Sequence, residues 1–231
     1  MINLLKAEFY KLFHSWYFGG ILLFNLGLSS VLLLDSKTQT SNIFFASLYN
    51  TPLLYFLIIV FSALFVGNDF AEKTLHQYVS AGHKRGQIFF AKMVVYQIAC
   101  QIILILPILF HEVFGEIYLK ESIVDICNTE LIVVIGVAIT AMCMLPIFFA
   151  FLFQDIGKSL VVPMLMFLVM IFLLNGKQVE YATKILPMGQ LRLVALQGMP
   201  WESMDLIGID LLWIFILYLG AYYVFKRSNL Q

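Results

Sequence analysis

Two short segments of this 231-residue chain match parts of motifs that perform chemistry. His111-Glu112 matches the start of HExxH, in which two histidines one helical turn apart bind zinc. Position 115, which should be the second histidine, is glycine. Gly157-Lys158-Ser159 matches the end of a phosphate-binding P-loop, but its leading glycine is replaced by Leu152. We therefore predict no catalytic, metal or cofactor site, and that the chain is not an enzyme.

Three polar residues inside long apolar segments are the remaining chemical candidates. Gln97 and Gln101 lie one helical turn apart and either line a pathway or hydrogen-bond a neighbouring helix. Asp210 lies near the start of the last apolar segment. An acid within a membrane helix is a functional candidate, unless it is close enough to the end to reach the interface. Both interpretations stay open for each residue.

The composition indicates what kind of fold must position these residues. Hydrophobic residues make up 61% of the chain and charged residues only 12%, whereas soluble domains are about 45–50% apolar and about 25% charged. This chain therefore lacks the polar surface of a soluble globule, and we predict an all-α integral membrane protein. The formal net charge is zero, so nothing indicates a nucleic-acid partner.

Six apolar runs approach the roughly 20 residues that a membrane-spanning helix needs. We place them at residues 16–34, 48–66, 88–110, 131–153, 157–174 and 206–225. No internal repeat is visible, although many secondary transporters carry one. We therefore assign residues 1–231 to a single transmembrane domain in the lipid bilayer.

The distribution of basic residues predicts which side each loop occupies. The termini and the segments on their side carry nine basic and four acidic residues, whereas the other side carries five basic and nine acidic. Cytoplasmic loops are enriched in lysine and arginine. Both termini are therefore predicted to be cytoplasmic, and the acidic loop over residues 111–130 lies outside.

Residues 1–15 fit an amphipathic helix that lies in the membrane interface. Ile2, Phe9 and Phe13 fall on one apolar stripe, and Lys6 and Glu8 fall on the polar side. Such a helix can direct its lysines toward anionic headgroups. The alternative is a simple flank to the first span.

The segment between the second and third spans, residues 67–92, is the most informative stretch of the sequence. It contains a helix-compatible piece at residues 70–80, a glycine stop at Gly82 and a basic turn. A cytoplasmic helix held between two membrane helices can transmit a push as a rigid body, as a membrane subunit driven by a separate motor requires. The alternative is an ordinary basic loop.

This segment resembles that of type-2 (ABC-2) permeases of ATP-binding cassette transporters, particularly the short six-span subunits of bacterial peptide exporters and antimicrobial-peptide resistance systems. Those permeases commonly carry, after span two, an acid, a Gly-Thr pair, an amphipathic stretch ending in a small residue, a basic residue and a lysine opening span three. The corresponding residues here are Asp69 or Glu72, Thr74, Ser80, Arg85 and Lys92. Lys73 replaces the usual glycine before Thr74.

Two other regions resemble the same family. The opening LLKAEFYKLF is similar to its N-terminal connecting helix, with Glu8 and Lys11-Leu12 as the recurring residues. Before the last span, residues 185–197 are predicted to form an amphipathic helix, with Pro187 near its start and Gly198 at its end. In the family this region forms short outer helices that dip into the membrane.

The resemblance implies a permease subunit of an ABC exporter in the bacterial cell membrane. It implies two copies of a cytoplasmic ABC ATPase, which would bind ATP and Mg, and a second permease, identical or a sister. Amphipathic peptides are the implied substrate, with ions, lipids or drugs as the alternatives within the family. The coupling helix that would dock on the ATPase comprises Asp69, Phe70, Glu72, Lys73, Thr74, Leu75, Gln77 and Tyr78, followed by Arg85.

A different class of function is also compatible with the residues. An ATP-independent secondary carrier, or a membrane sensor or interaction subunit, would need no ATPase. A proton-coupled carrier would depend on Asp210, with Gln97 and Gln101 along its pathway.

Overall fold

Long apolar runs become helices in this chain because a helix satisfies every backbone amide within its own segment, as a membrane interior requires. The computed structural model describes residues 1–36, 40, 42–119, 129–175, 179–198 and 203–228. All regular elements of that part are helical, and six of its helices are long and apolar enough to cross a membrane. This confirms the prediction of an all-helical chain with six candidate spans.

The helices are numbered in chain order. They are α1 (Ile2–Phe13), α2 (Trp16–Ser36), α3 (Ile43–Ser62), α4 (Asn68–Ala71), α5 (Thr74–Ser80), α6 (Arg85–Phe114), α7 (Thr129–Phe153), α8 (Ile156–Leu174), α9 (Val179–Ile185), α10 (Pro187–Gln197) and α11 (Ser203–Arg227). A π-helical turn, Ala63–Gly67, joins α3 to α4, so the second candidate span runs over Ile43–Ala71. The others are α2, α8 and the spans Arg85–Ile117, Glu130–Phe153 and Met204–Arg227.

The helix predicted over residues 70–80 is divided in the structure. Phe70 belongs to α4, at the end of the second span, and α5 begins only at Thr74. Lys73 separates the two helices with φ 57° and ψ 24°. This left-handed conformation interrupts a right-handed helix, so the segment between spans two and three carries only α5 as an independent helix.

The second, third and fourth spans form the centre of the bundle. In their most apolar windows 72%, 50% and 67% of the residues are buried, against 22% for α2 and 17% each for α8 and α11. The three peripheral helices therefore present most of their apolar surface outward, which suits contact with lipid.

The described chain ends meet at one end of the bundle, called here the terminal end. Nη1 of Arg85, at the start of α6, donates hydrogen bonds to the backbone carbonyls of Lys226 at 3.0 Å and Ser228 at 2.7 Å. The α1 helix and Asp69 lie at this end too, because Lys11 of α1 forms an ion pair with Asp69. The turn between α7 and α8 is also here, because Gly67 approaches Ile156 closely.

The opposite end is built around α9 and α10. Nη2 of Arg192 in α10 donates to the hydroxyl of Tyr49 in α3 at 2.5 Å. Pro187 starts α10, where its fixed φ and missing N–H are tolerated. Residues 187–191 are all buried, and α10 packs against α3 and α7. Of the segment predicted at residues 185–197, the part from Pro187 to Gln197 thus forms a helix that packs within the bundle, and Leu186 before it is extended.

A buried charge cluster as the candidate functional site

Four charged side chains meet at the terminal end between α1, α4 and α6, and are called here the charge cluster. Its members are Glu8 and Lys11 from α1, Asp69 from α4 and Lys92 from α6. Nζ of Lys92 lies 2.5 Å from Oε2 of Glu8 and also pairs with Asp69. Asp69 pairs in turn with Lys11. The cluster therefore joins three elements that are far apart in the chain.

Burial makes these ion pairs unusual. Lys92 and Asp69 are fully buried, Glu8 is 1% exposed, and the side chain of Lys11 is 32% exposed. A buried charge is tolerated only when paired, and here two ammonium groups balance two carboxylates. The Lys92 ammonium also lies 4.5 Å from the centre of the Phe65 ring, a distance typical of a cation–π contact. Each member of the cluster thus depends on the others.

The carboxylates of the cluster change the pKa of Lys11, which lies outside the candidate spans. Burial by itself would lower the pKa of Lys11, but the carboxylates of Asp69 and Glu8 outweigh it and raise the pKa above 10.5, its ordinary value. The protonated ammonium is therefore the form that the fold stabilises.

The α5 helix is attached to the same cluster. Burial, followed by the negative charges of Glu8 and Asp69, raises the pKa of Tyr78 to about 12. Thr74 Oγ1 donates to the backbone carbonyl of Asp69 at 3.2 Å, and Leu75 is fully buried. One face of α5 is therefore held against α1 and the end of the second span, so the short helix and the cluster form one unit.

Lys73 occupies the position at which the ABC-2 pattern has glycine. Its φ of 57° lies in the left-handed region, which glycine enters without penalty and other residues at a cost of roughly 1–2 kcal/mol. The departure from the pattern thus falls at a position whose backbone conformation favours glycine. Lys73 nevertheless adopts this left-handed conformation.

The predicted docking residues fall into three groups by exposure. Glu72, Lys73 and Gln77 are exposed. Asp69, Phe70 and Leu75 are buried, and of these Phe70 packs edge-to-face on Phe151 and Phe225. Thr74, Tyr78 and Arg85 are partly buried. The exposed face of α5 and its preceding turn is therefore the surface that a partner can contact. Of the two acids offered for the position after span two, Asp69 belongs to the charge cluster and Glu72 is exposed.

The polar face predicted for residues 1–15 is also divided. Glu8 is buried together with Leu4 and Leu12, one turn apart along the face of α1 that packs on α6. Ile2 and Phe13, from the predicted apolar stripe, are exposed. Periodicity placed Glu8 on the polar side of this helix, because it cannot reveal a buried lysine that neutralises the carboxylate.

Gln97 and Gln101 hydrogen-bond the neighbouring helix α7. Nε2 of Gln101 donates to the Gly136 carbonyl at 3.0 Å and to Thr140 Oγ1 at 2.8 Å. Nε2 of Gln97 donates to the Thr140 carbonyl at 3.5 Å and lies 2.8 Å from Met144 Sδ. This is the geometry of helix packing, and neither side chain meets the charge cluster.

Asp210 does not belong to that cluster and lies beside α10. Its side chain is 1% exposed and interacts with Gln190 of α10. Within the described part of the chain, Oδ1 of Asp210 accepts no hydrogen bond. The residue is thus buried by protein beside Gln190 of α10.

Sequence analysis missed a second polar site at the opposite end. His111 Nε2 lies 3.0 Å from Ser30 Oγ, and Nδ1 lies 3.0 Å from Ser47 Oγ. Since the Ser30 hydroxyl donates to the Leu26 carbonyl, it accepts from the imidazole, which assigns the proton to Nε2. His111 thereby joins α2, α3 and α6. Periodicity gave no sign of this, because the three residues are distant in the chain.

Comparison with models of known protein families finds none that matches this chain, and comparison with curated proteins finds no match either. The geometry of the charge cluster and of α5 therefore carries the functional argument.

Proposed function

We propose that this chain is the permease subunit of an ABC exporter, forming the path for amphipathic peptides and driven by a separate ATPase. In this proposal the terminal end faces the cytoplasm of a bacterial cell, where two copies of the ATPase bind ATP and Mg. A second permease, identical or a sister, completes the path.

The charge cluster is the observation that carries the proposal. The resemblance to ABC-2 permeases named Glu8 and Lys11 in the N-terminal segment, and Asp69 or Glu72 together with Lys92 in the segment after span two. In the structure Glu8, Lys11, Asp69 and Lys92 pair with one another in a buried site. Unrelated surface charges would have no reason to converge in this way, because burying a charge is costly without a partner. The convergence supports a shared role for the N-terminal helix and the loop after span two.

The construction of α5 supports the same role. A helix that transmits a push needs one face fixed to the membrane helices and another free for the motor. Leu75 and Tyr78 fix α5 to the bundle, and Glu72, Lys73 and Gln77 are exposed. Movement of α5 is then passed through Asp69 to α1 and through Lys92 to α6.

Charge reversal at Lys73 tests whether the exposed face docks on an ATPase. Lys73→Glu keeps a long side chain on the same exposed turn but reverses its charge. We expect the amount of Walker-motif ATPase that copurifies with the tagged chain to fall about tenfold. The permease itself should remain folded. Lys73→Gly should retain the fold, because glycine suits the left-handed conformation.

Lys158→Glu is the matched control for this experiment. Lys158 is also exposed at the terminal end, in the first turn of α8, and the change in net charge is identical. Equal loss of ATPase from both variants would indicate a nonspecific charge effect. Copurification of no ATPase with the wild-type chain, in cells where it is active, would contradict the proposed function.

Asp210 favours a second candidate, a proton-coupled carrier that needs no ATPase. A buried acid with an oxygen that accepts no hydrogen bond in the described structure is a natural place for a proton. This candidate expects transport to continue in cells lacking the ATPase and to stop in Asp210→Asn. If the chain is instead an exporter subunit, transport should stop in cells lacking the ATPase.

A further inference from the structure

Two neighbouring cavities at the opposite end share one arginine. The larger, of about 650 Å³, lies between the end of α8, α9 and α10 and includes Thr183, Lys184 and Gln197 in its lining. The smaller, of about 150 Å³, lies between α3 and α8 and includes Pro52 and Leu53. Leu174, Asn175 and Arg192 line both cavities, so the two are halves of one site.

The chemistry of the two halves differs. The larger cavity has amide, hydroxyl and ammonium groups beside its leucines. The smaller is lined mainly by apolar side chains from two membrane-spanning helices. Leu53 is 41% exposed, so this cleft reaches the outer, lipid-facing surface of the bundle. The site thus offers a polar place for a head and an apolar place for a chain.

Arg192 is held at the boundary between the halves. Its guanidinium lies 4.8 Å from the centre of the Tyr49 ring and donates to the Tyr49 hydroxyl at 2.5 Å and to Asn175 Oδ1 at 3.0 Å. These contacts fix the group but do not neutralise it. Among the described residues no carboxylate lies within 4.0 Å of it. A positioned guanidinium with remaining donors is suited to a phosphate or carboxylate.

We propose that this site binds an acidic phospholipid from the membrane. The phosphate lies on Arg192 in the larger cavity, and the first part of an acyl chain enters the cleft between α3 and α8. A bound lipid would bridge α10 to these two spans. The inference depends on the cavities and on Arg192, and does not require the proposed transport function.

Native mass spectrometry of the full chain tests the proposal with phosphatidylglycerol and phosphatidylcholine of equal chain length. We expect phosphatidylglycerol to be retained more strongly, and Arg192→Gln to reduce its retention about tenfold by loss of charge-assisted hydrogen bonds. Arg227→Gln is the matched control, because Arg227 also stacks on a tyrosine, at 4.3 Å from the Tyr223 ring centre. It lies at the terminal end and should not affect retention.

Leu53→Trp tests the acyl-chain half without disturbing Arg192. Filling the cleft should weaken the binding of phosphatidylglycerol. It should leave unchanged any binding of glycerol 3-phosphate, which has no acyl chain. Equal retention of both lipids, or equal loss in Arg192→Gln and Arg227→Gln, would overturn the proposal. Retention of phosphatidylglycerol unaffected by Leu53→Trp, with tight binding of glycerol 3-phosphate, would show a site for free anions and overturn the lipid assignment.

Discussion

At the scale of single residues, the charge cluster places strong interactions where water is excluded. Lys92 is fully buried and contacts two carboxylates, Glu8 and Asp69. Desolvating such groups costs much of what their attraction returns, so buried pairs contribute more to a specific arrangement than to net stability. The arrangement specified here is the position of α1 against the end of the second span.

Removing the Lys92 ammonium should be strongly destabilising. Lys92→Met retains most of the side-chain volume but leaves two buried carboxylates opposite Lys11 alone. We expect the free energy of unfolding to fall by about 3–5 kcal/mol. A lower melting temperature in lipid nanodiscs would report this loss.

The double variant Lys92→Met with Glu8→Gln separates charge from packing. It leaves Asp69 paired with Lys11 and restores a neutral cluster. The double variant should therefore lose less stability than the sum of the two single variants. Simple additivity would show that the ion pairs are not coupled.

Alkaline pH should loosen α1. The folded structure raises the pKa of Lys11 above 10.5, so the contribution of this lysine to stability is complete below pH 10.5 and is lost as the pH rises through the raised value. Melting temperatures across this window should fall more steeply for the wild type than for Lys11→Met. Tyr78→Phe is the control, since Tyr78, whose pKa is about 12, ionises over part of the same window.

At the scale of elements, the position of α10 depends on a close approach to α9. A Cβ added at Gly189 would lie 2.5 Å from the Cα of Thr183 and 2.9 Å from Leu174 Cδ2. Backbone cannot yield as a flexible side chain can, so only glycine fits at this crossing. The absence of a side chain here allows α9 and α10 to turn sharply, so that α10 packs beside α3 and α7.

Gly189→Ala should therefore destabilise the protein by about 1–3 kcal/mol, the cost of overpacking. Gly208→Ala in α11 is the matched control, because no atom lies within 4 Å of its added Cβ. Alanine there should be neutral or slightly stabilising, since it lowers the entropy of the unfolded chain. Equal melting temperatures for the two variants would contradict the tight α9–α10 crossing.

At the scale of the whole molecule, an even number of candidate spans returns the chain to the end where it began. Arg85 links the third span to the end of the last through the carbonyls of Lys226 and Ser228. The charge cluster lies at this terminal end, and the Arg192 site lies at the opposite end. Coupling between them would have to pass along the central spans, which are the most buried part of the bundle.

Cysteine labelling in intact cells tests this arrangement. Gln77→Cys and Gln197→Cys place one thiol on an exposed position at each end, in a chain whose native cysteines at positions 100, 127 and 143 are replaced by serine or alanine. A membrane-impermeant maleimide should label only one of the two variants, and after permeabilisation it should label both. Labelling of both in intact cells would contradict the six-span topology.

The sequence by itself determined the class of protein and most of its helices. An apolar fraction of 61% with 12% charge excludes a soluble globule, and the six apolar runs correspond to six helices long enough to span a membrane. These inferences succeed because helix length and hydropathy are local properties of the chain. The side of the membrane that each loop occupies, and the function, remain predictions.

Only the tertiary structure decided which residues act together. Periodicity placed Glu8 on the polar side of α1, whereas the fold buries it against Lys92, and Asp210 is buried beside Gln190 of α10. The pairing of Arg192 with Tyr49 joins residues 143 positions apart. Such contacts depend on how helices pack, and the energy of burying a charge is set by its partner across the fold, which no local pattern contains.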